Sequence, residues 1–217
     1  MITKSTPRIY YEKYGVGKPL LLIHGNKEDH TIFTKLVNAL KDNFTVYAID
    51  SRGHGKSDKV NTFHYNDMAD DILRFIDELG LDKPCFYGFS DGGIIGIMCA
   101  IKRSNAFEKM TISGANITPK GLKPYIRIGM MLSYIFNHDS RTKMMLDEPN
   151  ITADELKKIT CPTLVLAGEF DMINEKETKI IAESIPNSTL KILKGKHHGD
   201  YVVNSDFLKD TIIEFNS

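Results

Sequence analysis

Gly88-Phe89-Ser90-Asp91-Gly92-Gly93 is the segment of this 217-residue chain best suited to covalent chemistry. It fits the pattern G-x-S-x-G. A serine hydroxyl is a weak nucleophile and must project from a sharp turn toward a base. Glycines two residues to either side permit the bent backbone and a close approach of strand to helix. Apolar Cys85-Phe86-Tyr87 precedes the turn and an apolar stretch, Ile94 to Ile101, follows it, which predicts strand, turn and helix in that order. A helix that starts at the nucleophile points its unpaired N–H groups at any oxyanion formed there.

Such a serine needs a general base. His197 and His198 stand directly after Leu190-Lys191-Ile192-Leu193, a strand-like run. Spacing alone does not separate the two. A tandem histidine pair also raises a metal site, but no carboxylate–histidine cluster completes one, so no metal is expected. The third member should be a carboxylate that follows a strand lying between nucleophile and base. Asp171 does so, after Thr163-Leu164-Val165-Leu166, and is preferred by motif position to Glu169, two residues earlier. The order Ser, Asp, His is that of hydrolases with a G-x-S-x-G elbow. An oxyanion hole would combine the Asp91 N–H with the Asn26 N–H, which follows the run Leu20 to Ile23 and the turn at Gly25. His24, closing that buried run, reads as a structural group.

The elements that must hold these residues are strands alternating with helices. Ile32, Phe33, Leu36, Val37 and Leu40 lie on one helical face, as do Met68, Ile72, Phe75, Ile76 and Leu79. Between them Phe44 to Ile49 is β-rich. Nearly continuous apolar strands in such an alternation imply a parallel sheet covered on both faces by helices. Ligands then bind beyond the carboxyl ends of the strands, where the candidate residues stand. From about 117 to 156 helical patches occur without a clear strand, which predicts a small helical cap inserted into a single domain spanning 1–217.

Hydrophobic residues make up 41% and charged residues 26%, with 28 basic and 28 acidic side chains and no net charge. No long-range field draws the chain to nucleic acid or an anionic membrane, and neither is expected as a partner. Cys85, Cys99 and Cys161 form no Cys-x-x-Cys pair and read as core residues of a reducing compartment. With no signal-like or membrane-length apolar run, a cytoplasmic location is expected.

Leu22-Ile23-His24-Gly25-Asn26, Asp50-Ser51-Arg52-Gly53-His54-Gly55-Lys56-Ser57-Asp58, the elbow Gly88 to Gly93 and Gly168-Glu169-Phe170-Asp171 together resemble the α/β-hydrolase-fold family. So does Gly195-Lys196-His197-His198-Gly199-Asp200-Tyr201, which is similar to that family's catalytic-histidine loop. Its usual form, Gly, two variable residues and His, selects His198. The Ser-Asp-Gly-Gly elbow looks closest to the branch of valacyclovir-hydrolase-like esterases and aromatic-ring-cleavage carbon–carbon hydrolases.

The resemblance implies a mostly parallel eight-stranded sheet, an acyl-serine intermediate, water as second substrate and no cofactor. It makes Arg52, His54 and Asp58 scaffold. It offers Asp91 one use, attraction of a substrate amine, against the ordinary use of supporting the helix start. Two departures stand out. The short lead-in curtails the usual first strand, and the brief cap implies an open or shallow pocket.

Members that cleave halides or epoxides carry aspartate at the elbow. Ser90 favours acyl transfer instead, even though Asn26 after His-Gly resembles the dehalogenase pattern. A small or medium carboxylic ester is the expected substrate. Carbon–carbon cleavage of a β-diketone-like substrate and a low-turnover sensor on the same fold are the alternatives. Met130, Met131, Met144, Met145, Tyr125, Tyr134 and Phe136 fall in the cap, with Met172 beside the acid. They read either as a yielding apolar pocket or as packing that joins cap to core.

Overall fold

The computed structural model describes residues 1–217, with seven strands in one sheet: β1 (Tyr11–Tyr14), β2 (Lys18–Ile23), β3 (Phe44–Ile49), β4 (Cys85–Phe89), β5 (Met110–Ser113), β6 (Thr163–Phe170) and β7 (Ser188–His197). The helices are α1 (Thr34–Leu40), α2 (Tyr65–Glu78), α3 (Asp91–Lys102), α4 (Pro124–Asn137), α5 (Ser140–Asp147), α6 (Ala153–Leu156), α7 (Glu175–Ser184) and α8 (Lys209–Asn216). The sheet order is β1-β3-β2-β4-β5-β6-β7, and only β1 runs antiparallel to its neighbour.

Side chains alternate across the sheet with a period of two, which sorts the core into two layers. Leu21, Ile23, Phe86 and Ile112 point to one face and pack with residues of α2, α3 and α7. Leu20, Leu22, Tyr87 and Leu166 point to the other, against α1 and α8. Strands buried on both faces need apolar residues at every position, which is why Leu20 to Ile23 is unbroken. The three cysteines are buried and unpaired. No helix is long and apolar enough to cross a membrane.

The resemblance leads one to expect eight strands, and seven are present. The missing one is the usual first strand, reduced to a single antiparallel bridge between Ile2 and Tyr10. Lys4 to Pro7 between them bend the chain away from further pairing. Two strands also run further than their apolar cores. β6 continues to Phe170 and β7 to His197, paired past a register shift between Gly168 and Phe170. Ala167 and Gly168 are still buried, but Glu169 and Phe170 of β6 and most of Lys194 to His197 of β7 are exposed, so the outer end of this pair stands clear of the core. Lys191, Lys194 and Lys196 guard the exposed edge of β7.

The segment 117–156 contains a short 3₁₀ turn, α4, α5 and α6, and no strand. The helix α4 has no buried residue, and Tyr125, Ile128, Leu132 and Phe136 are exposed on it.

The order β3-β2-β4 places the strand-order reversal between β2 and β4. The crevice beyond their carboxyl ends is where ligands bind in such sheets. The loop after β2 and the turn after β4 meet there, since Ile23 pairs with Gly88. Beneath them Phe86 is fully buried, its ring centroid 4.6 Å from that of Phe107. Truncating Phe86→Ala is expected to cost about 3–5 kcal/mol of unfolding free energy. Denaturant titration checks this; a loss under about 1 kcal/mol would mean the core beneath the crevice is not packed as described.

Candidate active site

Ser90 sits at the junction of β4 and α3 with φ 53° and ψ −116°, a conformation that L-residues avoid. Its N–H donates to the Ser113 carbonyl at 2.8 Å, which anchors the turn to β5. Gly92 is required by close approach: a Cβ there would overlap the Ile23 carbonyl oxygen at the end of β2. The hydroxyl is thereby aimed out of the sheet.

His198 follows β7 directly. Its Nε2 lies 3.1 Å from Ser90 Oγ and its Nδ1 lies 2.7 Å from Asp171 Oδ1. The Phe89 ring packs 4.8 Å from the imidazole, centroid to centroid. Gly114, at φ 61°, leaves room for the ring, because a Cβ there would stand 2.6 Å from His198 Cε1. Asp171, the residue after β6, is buried. Its Oδ1 accepts from the Ile173 N–H at 3.0 Å and its Oδ2 from the Gly168 N–H at 3.2 Å. Burial works against the charge of this carboxyl, but the hydrogen bond and charge of His198 and the two N–H donors outweigh it. The group is held below the usual aspartate range.

Ser90, His198 and Asp171 thus come together from three different strand ends. The rivals stand apart. The His197 backbone N–H is bonded to Asp200 and its ring lies near Phe170, while Glu169 is exposed and accepts from the Gly195 N–H. Arg52 pairs with Asp71 and Asp67, and Asp58 with Arg8, so neither reaches the serine.

Asn26 and Asp91 meet through their side chains. Asn26 Nδ2 donates to Asp91 Oδ2 at 2.8 Å, and the Tyr65 hydroxyl donates to Asp91 Oδ1 at 2.8 Å. The Asn26 N–H donates to no group of the protein. The Asp91 N–H belongs to the first turn of α3, where no intrahelical acceptor exists. Both donors therefore remain free beside Ser90. The use of Asp91 for attracting a substrate amine is corrected by its surroundings: the carboxyl is 2% exposed, engaged on both oxygens and absent from the cavity wall. Burial also pushes it above the usual range, against the opposing hydrogen bonds of Asn26 and Tyr65.

His24 has the structural place expected of it. Its Nε2 accepts from the Ser51 N–H at 3.0 Å, so Nδ1 carries the proton and donates to the Gly25 carbonyl at 2.7 Å. Asp29, His30 and Asp50 also cluster. Asp50 is fully occupied there by the His30 ring and the N–H groups of His30 and Lys56.

A cavity of about 490 Å³ opens beside Ser90 and His198. Phe89, Tyr125, Ile126, Met130, Met145 and Met172 supply its apolar wall. The methionines divide between the two expected uses: these three line the cavity, Met144 is core, and Met131 faces outward. Two participants carry no signal in the sequence. Glu28 lines the same cavity, and Tyr65 reaches Asp91 from α2, 26 residues away in the chain.

Residues 18–134 match the family model of the alpha/beta hydrolase fold. Haloalkane dehalogenase 2 of Mycobacterium tuberculosis is 36% identical over 117 residues, 53% of this chain and 41% of that protein. The chain thus spans under half the length of the curated relatives that it matches at this identity. Among solved structures, a thermophilic esterase from Thermogutta terrifontis superposes with TM-score 0.80 at 24% identity, over 99% of this chain and 96% of that one. The meta-cleavage product hydrolase of Pseudomonas fluorescens IP01 gives 0.77 at 21%, over 96% and 94%. At such identities the likeness is one of fold.

Burial pushes the pKa values of His24 and His54 down; each ring also lies near the other, and Arg141 adds to the effect at His54. The unfolded chain therefore takes up protons there, as pH falls below the ordinary histidine range, that the native state refuses. Stability is expected to be lower at about pH 5 than at about pH 7.5, and His24→Gln should flatten that slope in urea titrations. An unchanged slope in the variant would mean residue 24 is not a buried neutral imidazole.

Proposed function

Since the chain belongs to the α/β-hydrolase-fold family, we propose that it is a serine hydrolase of carboxylic esters, with Ser90 as nucleophile, His198 as base and Asp171 as its orienting acid. The observation that carries this reading is the continuous contact from Ser90 Oγ to His198 Nε2 at 3.1 Å and from Nδ1 to Asp171 at 2.7 Å, beside an open cavity. The 117–156 segment acts in this reading as a small cap on a single hydrolase domain.

The geometry supports a two-step reaction. Ser90 Oγ attacks the ester carbonyl while Nε2 takes its proton, and Asp171 stabilises the imidazolium that forms. The carbonyl oxygen, now an oxyanion, accepts from the Asn26 and Asp91 N–H groups. Collapse expels the alcohol, which receives the proton from His198, and leaves an acyl-serine. Water then gives a proton to Nε2 as its oxygen attacks the acyl carbon, and the bond to Ser90 Oγ breaks as Nε2 returns that proton to Oγ, which releases the acid and restores the serine. Asp91 has a supporting part: by gripping Asn26, it holds one N–H donor in step with the other. A cavity of about 490 Å³ with a methionine-rich wall suits a small or medium acyl group of variable shape.

Ser90→Ala is expected to lower kcat/KM for a p-nitrophenyl ester on the order of 10⁴-fold or more, and Asp171→Asn by a comparable factor. His198→Ala should match the serine variant, whereas His197→Ala should stay near the wild type. Steady-state kinetics on folded variants checks the order; a severe loss only at His197, or a competent Ser90→Ala, would overturn the assignment. A β-diketone assayed alongside the esters separates acyl transfer from carbon–carbon cleavage.

A further inference from the structure

Glu28 is a carboxylate the reaction above does not use, yet it stands next to the nucleophile. A Cβ placed on Gly25 would lie 2.7 Å from Glu28 Oε2 and 3.1 Å from Ser90 Cβ, so the two residues flank one small space. Glu28 Oε2 accepts from the Gly25 N–H at 2.9 Å and closes the turn after β2. One oxygen suffices for that structural task. The other, Oε1, has no partner in the protein, nor is it sealed from solvent.

The fully buried carboxylates nearby differ. Asp50, Asp91 and Asp171 each have both oxygens engaged. No basic side chain of the protein pairs with Glu28. Lys27, the lysine in the same wall, is drawn away to Asp139 at 3.0 Å and to the Thr142 hydroxyl at 2.9 Å. Burial pushes the Glu28 carboxyl above its usual range; the Gly25 N–H and His198 oppose this, while Asp91 and Asp29 add to it. A half-buried carboxylate that lines a cavity and has no ion-pair partner is a costly arrangement that a cation would relieve. Tyr125 adds an aromatic ring to the same wall, the side-chain type that cations favour.

We propose that Glu28 makes the cavity beside Ser90 a subsite for a positively charged group, so that the preferred substrates carry an ammonium on the acyl or the alcohol side. The subsite is a matter of binding; that its ligand is a substrate rests on the ester-hydrolase reading.

The test compares phenethylammonium with 2-phenylethanol by isothermal titration, at mildly alkaline pH and low salt. The wild-type protein should bind the ammonium about tenfold or more tightly than the alcohol, as expected of a partly desolvated charge pair. Glu28→Gln keeps an acceptor for the Gly25 N–H and should bring the two affinities within about twofold. Glu28→Asn, a second neutral variant, serves if the first does not fold. Ser90→Ala retains Glu28 and should retain the preference. Equal binding by the wild type, or a preference that survives in the neutral variants, would overturn the proposal. Binding needs no turnover, so the two readings fail separately. Ammonium preference without ester cleavage would sink only the hydrolase reading, and cleavage without the preference only the subsite.

Discussion

The structure depends on one strained residue held between two buried elements. Ser90 occupies φ 53° and ψ −116°, a conformation that costs about 1–3 kcal/mol for a residue with a side chain. What enforces it is the packing of β4 and α3 on either side, both almost wholly buried, together with the bond from Ser90 N–H to β5. Relaxing the turn would require the helix to move off the sheet. The strain turns the hydroxyl outward and leaves the first N–H groups of α3 facing the same space. The proposed nucleophile and one proposed oxyanion donor are thus consequences of a single backbone geometry.

Parallel pairing does the rest. Because β2, β4, β5, β6 and β7 run the same way, their carboxyl ends converge at one rim. Each contributes what its following loop carries: free N–H and Glu28 after β2, Ser90 after β4, Gly114 after β5, Asp171 after β6, His198 after β7. The imidazole is then fixed from several sides by Asp171, Phe89 and the space that Gly114 leaves. Preorganisation of this kind is what lets weak acids and bases act without rearrangement.

Much of this was legible in the residues, for identifiable reasons. A strand buried on both faces has to be apolar throughout, so Leu20 to Ile23 and Thr163 to Leu166 announce themselves, and the residues that follow them are candidates by position. The outer ends of β6 and β7 escape such reading because Gly168, Glu169 and Lys194 to His197 break the apolar run, and most of these residues pair outside the core. β5 escapes because Met110-Thr111-Ile112-Ser113 is short and half polar; Ser113 is tolerated inside through its hydrogen bond with the Tyr87 hydroxyl at 2.9 Å. Spacing gave no choice between His197 and His198, since only the direction of the chain leaving β7 decides which ring turns inward. Of the two uses open to Asp91 the structural one fits: beside Ser90 in the sequence, its carboxyl points into a pocket closed by Tyr65 and Asn26. Glu28 has no pattern at all, since its place depends on a turn that folds it back over Gly25.

The central claim is that Ser90 is activated by His198. Labelling with a fluorophosphonate, followed by peptide mass mapping, tests it most directly, since the reagent bonds far faster to a serine whose proton is being removed than to an ordinary hydroxyl. The account predicts one adduct per chain, on the peptide containing Ser90, formed far more slowly in folded His198→Ala. An adduct elsewhere, none at all, or equal labelling with and without the imidazole would contradict it.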